Sequence, residues 1–130
     1  MTTTATTTTD IAIIAVLTPA MIGPTIVQTV QLDTPAVTLD ELRDLAPEIQ
    51  TFDVVEGARG VSIWCDDEGL LSHWPVVNLA ASALAGQRIV GRAIIAGLRP
   101  DDGATIGLDT AQLAAVRAAS KVHRGRHFTG

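Results

Sequence analysis

Short apolar runs alternate with clusters of turn-forming residues along this chain, and that rhythm predicts a small mixed fold. Residues 11–17 form an unbroken, β-branched apolar run, the pattern of a buried strand. Pro19, Gly23 and Pro24 then mark a turn. From Thr25 to Leu32 the pattern alternates: Ile26, Val30 and Leu32 share one face and Thr29 and Gln31 the other, which predicts a half-buried strand.

Thr38-Leu39-Asp40-Glu41 is a capping box. The Thr38 hydroxyl can accept the Glu41 amide while the Glu41 carboxylate reaches back to the Thr38 amide. Val37 and Leu42 can add a hydrophobic staple, and Leu39, Leu42 and Leu45 give an apolar stripe. Pro47 limits the element, because the residue before a proline avoids the α region, so a two-turn helix is predicted over residues 39–46.

Residues 51–55 and 60–65 read as strands joined by a Gly-bearing link, a hairpin signature. In the second of them Val61, Ile63 and Cys65 lie on one face, Ser62 and Trp64 on the other. Asp67-Glu68-Gly69 turns the chain, with Gly69 expected at positive φ. Pro75 is placed as a first helical residue, Val76, Leu79, Ala80, Ala83 and Leu84 trace one helix face, and Gly86 closes that helix. Residues 89–96 predict the last buried strand. Beyond the turn at Arg99 to Gly103, a helix over 111–122 capped by Asp109 or Thr110 offers only Leu113, Val116, Ala119 and Val122 for burial.

The pattern as a whole predicts a single α+β domain: a mostly antiparallel sheet of about five strands, two short helices and an appended C-terminal helix. Residues 1–9 form a threonine-rich leader expected to be disordered, residues 10–98 the core domain, and residues 99–130 a linker, the last helix and a basic tail.

Composition narrows the functional classes. A chain of 130 residues fits one core, built here from Ala, Val, Ile and Leu, since the aromatics are two Trp and two Phe with no Tyr. That scarcity argues against a large aromatic-anchored interface. Residues 1–116 carry five arginines and fourteen acids, whereas residues 117–130 carry Arg117, Lys121, Arg124 and Arg126 and no acid. An acidic body lacks the clustered cations a duplex-binding face needs, which leaves only the tail for nucleic acid. The uncharged stretch 11–32 is long enough to span a bilayer, but Pro19, Gly23, Pro24, Gln28 and Gln31 interrupt it and no cation flanks it; two strands explain it better than membrane or secretory targeting.

The densest chemistry lies in Trp64-Cys65-Asp66-Asp67-Glu68-Gly69 and His73-Trp74-Pro75 with Asn78. Asp66, Asp67 and Glu68 are candidates for a hard cation, but neighbours at a strand end point to opposite faces and the alternation of an EF-hand loop is absent. Trp64, His73, Trp74 and Asn78 are candidates for contact with a partner, His73 also for acid–base work. Cys65, the only cysteine, excludes an internal disulfide and suits a reducing cytosolic setting. Adjacent carboxylates should raise its pKa and blunt it as a nucleophile. A zinc site lacks ligand spacing, and no Walker, GxGxxG, GxSxG or HExxH motif occurs, so no cofactor and no catalytic residue is implied.

The order of these parts resembles a small domain of bacteriophages, plasmids and their actinobacterial and other bacterial hosts, catalogued only as a domain of unknown function. The residues that carry the resemblance are Leu39-Asp40-Glu41-Leu42 with Leu45, Phe52 to Glu56, the acidic turn from Trp64 to Leu71, Pro75-Val76-Val77-Asn78-Leu79-Ala80-Ala81, and Ile89-Val90-Gly91 with Ile94-Ile95-Ala96-Gly97. Leu70 stands where that pattern has Lys, and Asn78 lies one residue late. The resemblance implies an α+β fold and an origin on mobile elements, and supplies no activity. The expectation is a small, non-catalytic cytosolic accessory protein that binds a host protein or small ligand. Two alternatives stand beside it: a metal-dependent or small-molecule enzyme using the acidic turn, and weak nucleic-acid binding through the tail.

Overall fold

The computed structural model describes residues 12–20, 23–34, 36–67 and 76–121. Strands β1 (Ala12–Thr18) and β2 (Ile26–Leu32) come first, then helix α1 (Leu39–Leu45) and strands β3 (Phe52–Glu56) and β4 (Val61–Asp66). Helix α2 (Leu79–Ala85), strands β5 (Ala93–Leu98) and β6 (Thr105–Ile106) and helix α3 (Thr110–Ser120) complete the fold. The leader, Gly69, Pro75 and the tail beyond Lys121 lie outside the described residues. No helix among the described residues is long and apolar enough to cross a membrane.

The strands form one open antiparallel sheet in the order β2-β1-β5-β4-β3, with β6 on the end of β5. Alternation along each strand sends side chains to two separate cores. One face of β1, β4 and β5 presents Ala15, Leu17, Val61, Ile63, Cys65, Ala93 and Ile95 to helices α2 and α3, which contribute Ala80, Ala81, Leu84 and Val116. The opposite face presents Ile14, Val16, Ile94 and Ala96 to Leu42 of α1 and to Ala46 and Ile49 after it. Burying the Leu42 side chain, 1% exposed, contributes about 2 kcal/mol.

The capping box of α1 is formed as the sequence predicts, with the Thr38 amide donating 2.9 Å to Glu41 Oε1 and the Glu41 amide 3.3 Å to the Thr38 hydroxyl. A second box starts α3, where Asp109 and Gln112 exchange bonds of 2.7 and 2.9 Å. Gln112 also donates to the Arg59 carbonyl at 2.8 Å, tying α3 to the β3–β4 turn. With Val116 fully buried, α3 shares the core of the sheet.

The structure departs from the sequence pattern in three places. The last long strand begins at Ala93, because Gly91 at φ +83 breaks the run; Val90 makes only an isolated bridge, to Val77. Helix α2 begins at Leu79, since Asn78 is extended at φ −89, ψ 99 and caps it. The sheet has a sixth strand, β6, too short for any periodicity to announce. It enters where β1 and β5 part: the Leu108 amide donates 2.7 Å to the Ile13 carbonyl. Room for this wedge comes from two glycines. A Cβ on Gly97 would lie 2.5 Å from the Gly107 carbonyl oxygen, and one on Gly107 would lie 2.8 Å from the Ile13 nitrogen.

Candidate functional site

The described candidate residues of the acidic turn sit at the end of the β3–β4 hairpin. Its register pairs Val54 with Trp64, Asp53 with Cys65 and Phe52 with Asp66. Directly opposed residues share a face, so Val54 and Trp64 lie together on the α1 side of the sheet and Cys65 on the α2 side. Trp64 meets Phe52 edge to face, with ring centroids 6.1 Å apart and planes at 78°. Its indole Nε1–H donates 3.2 Å to the Ser62 hydroxyl, which donates in turn to the Ala96 carbonyl at 3.4 Å. The polar end of Trp64 is therefore fixed toward the sheet centre. Beside the half-buried ring, Val54 is 47% exposed.

Asp66 ends β4 and is half-buried; Asp67 is exposed, its amide donating 3.0 Å to the Thr51 carbonyl. Among the described residues, no three His, Cys, Asp or Glu side chains are grouped to hold a metal ion. Glu68, His73 and Trp74 lie outside the described residues. Of the basic candidates, Arg117 and Lys121 are exposed at the end of α3, while Arg124 and Arg126 lie outside them.

Cys65 is buried under α2 and its thiol donates 3.6 Å to the Asp53 carbonyl. Burial first, then the charges of Asp53, Asp66 and Asp67, push its pKa from 9.0 up to about 11. At neutral pH it stays a thiol, with little nucleophilic character.

Asn78 lies on the other side of the sheet from Trp64, in the layer of α2, and is fully buried. Its Oδ1 accepts the Ala81 amide at 3.0 Å, and its Nδ2 donates to the carbonyls of Leu17 at 3.0 Å and Gly91 at 2.9 Å. Every polar atom of that amide has a partner, so Asn78 joins strands to helix and presents nothing to solvent. Asparagine ahead of an Ala-rich helix is a preferred N-cap, and that signal is present in the sequence.

The structure thus groups Trp64 and Asp66 with Phe52 and Val54, two residues that the sequence pattern did not single out. Their shared face follows once the hairpin register is known, because Phe52, Val54 and Trp64 then fall on one side. Neither a curated protein nor a solved structure matches the chain. The family model described as Domain of unknown function (DUF3846) matches residues 22–121, from ahead of β2 to the end of α3. The chain belongs to that family.

Proposed function

We propose that this protein is a non-catalytic binding protein of the phage or mobile-element type, working in the cytosol and engaging a host protein. The surface it offers is the outer part of the β3–β4 hairpin: Val54 and Trp64 with Phe52 at their side, and Asp66 and Asp67 at the strand end. The carrying observation is the exposed Val54 against a Trp64 ring whose only donor is already satisfied within the sheet. Such a surface gains from apolar contact and makes no demand for a polar ligand at its centre, whereas the neighbouring carboxylates favour a partner with Lys or Arg around an apolar residue. The buried thiol of Cys65 supports the non-catalytic reading, and a single reduced cysteine supports the cytosolic one. The mobile-element setting rests on the resemblance of the sequence pattern.

Affinity capture from bacterial lysate with the wild-type chain and the Val54→Lys variant tests this reading. A protein retained by the wild type and lost with Val54→Lys supports it. Repeated capture of no protein, or equal capture by both, removes it. Retention of a small metabolite instead would turn the reading toward a ligand-binding protein.

A further inference from the structure

The two edges of the sheet are built differently. At one edge, β3 is five residues long and carries Asp53 and Glu56, the charged, short design that keeps edge strands from pairing. At the other edge, β2 is seven residues long, reads Ile-Val-Gln-Thr-Val-Gln-Leu, and holds no charge, proline or glycine. Among the described residues no strand pairs with its outer side.

The direction of its free backbone groups follows from the bonds of β1. In an antiparallel strand the N–H and C=O of one residue point to the same side, and successive residues alternate. The Ile13 carbonyl accepts from Leu108 and the Leu17 carbonyl from Asn78, both on the β5 side of β1. Ala12, Ile14, Val16 and Thr18 therefore point toward β2, where the register sets them against Leu32, Val30, Gln28 and Ile26. The intervening residues of β2, Val27, Thr29 and Gln31, aim their backbone groups outward.

From this we infer that β2 is a homodimer edge: a second copy of this chain pairs β2 against β2 in antiparallel register about a two-fold axis through Thr29. These three outward residues are symmetric about Thr29. In that register Thr29 meets its own copy and Val27 meets Gln31, so each outward residue enters a pair that exchanges both backbone bonds. Ile26 then lies opposite Leu32, which covers an isoleucine that is 60% exposed in the single chain. Gln28 lies opposite Val30. Asp33, the first acid after the strand, falls opposite Thr25 and not opposite another acid, so the register brings no like charges together. The two-fold axis repeats the apolar Ile26–Leu32 contact on both sides of Thr29 without opposing any charge, which suits a second copy of this uncharged strand.

Sedimentation velocity on the full chain at about 100 μM reads the stoichiometry, with a dimer expected. Thr29→Lys sets two ammonium groups face to face at the axis, on an exposed position the fold tolerates, and should weaken the dimer by about tenfold or more. Thr29→Cys should cross-link to its own copy under mild oxidation, whereas Gln31→Cys, displaced from its copy along the strand, should not. Circular dichroism of each variant separates lost pairing from lost folding. A wild-type monomer, a dimer indifferent to Thr29→Lys, or equal cross-linking by both cysteine variants would overturn the inference. So would a dimer that forms only after residues 1–10 are deleted, because the leader would then be the occupant of this edge.

Discussion

The side-chain amide of Asn78 donates 3.0 Å to the Leu17 carbonyl, joining the first turn of α2 to the end of β1 across 61 residues of chain. The same nitrogen holds Gly91, and Oδ1 caps the helix, so one side chain sets the height of α2 over the sheet. Asn78→Ala removes the cap and takes a side-chain donor from two carbonyls, and should cost about 3 kcal/mol of unfolding free energy. Asn78→Asp keeps the acceptor but loses the donor, and buries a charge besides; it should be no milder. Urea unfolding midpoints of the two variants check both statements.

Gly97 and Gly107 supply the space for the β6 wedge by lacking a Cβ, and neither depends on a left-handed backbone. Alanine at either position meets main-chain atoms that have nowhere to go, and should cost several kcal/mol or prevent folding. Gly103→Ala is the informative comparison, since its φ of +74 is left-handed but nothing lies within 4 Å. That variant should lose only about 1 kcal/mol. Thermal melting of the three should separate steric from conformational demand.

Cys65 should react with a disulfide reagent about a hundredfold more slowly in the folded chain than in urea at pH 8, because its pKa of about 11 leaves little thiolate. The same shift predicts a pH dependence. Folding favours the protonated thiol, so this contribution is whole below pH 9 and fades as the pH rises through about 11. Cys65→Ala should flatten that alkaline decline in melting temperature.

The capping boxes make a graded set. Thr38→Ala and Asp109→Ala should each cost about 1 kcal/mol. Gln112→Ala should cost at least as much, although it is not the cap itself, because it also releases the Arg59 carbonyl. Guanidinium denaturation of the three orders them.

Among the described residues no three ligating side chains are grouped at the end of β4, so calcium, magnesium, manganese or zinc should leave the melting temperature unchanged. A rise that grows with metal concentration would support the metal reading of the acidic turn.

Those elements whose signal is local were readable before folding was known. Thr38 and Glu41 announce α1 because capping needs only four consecutive residues. Val61, Ile63 and Cys65 alternate with Ser62 and Trp64 because β4 is covered on two faces with different partners. What the sequence concealed depends on distant neighbours. Residues 89–96 look continuous in apolar content, and only the backbone at Gly91 shows that pairing starts at Ala93. β6 has two residues and is defined only by its pairing with the end of β5. In the candidate site, Trp64 and Asp66 were visible by their chemistry. Phe52 and Val54 were not, since their place beside Trp64 depends on the hairpin register.

β1 sits between β2 and β5, and the second of these partners ends only at Leu98. During synthesis the two hairpins, β1 with β2 and β3 with β4, can form as soon as they emerge, because their contacts are local. The two hairpins are joined into one sheet only when β5 arrives between them. A nascent chain stopped before Ala93 would thus expose Ile14, Leu17 and Ile63 on unjoined pieces, a target for chaperones and proteases. The sheet becomes continuous only with its most central strand, β5, and its core is finished by α3 behind it, so premature termination before that strand should yield degradation in place of a partly working domain.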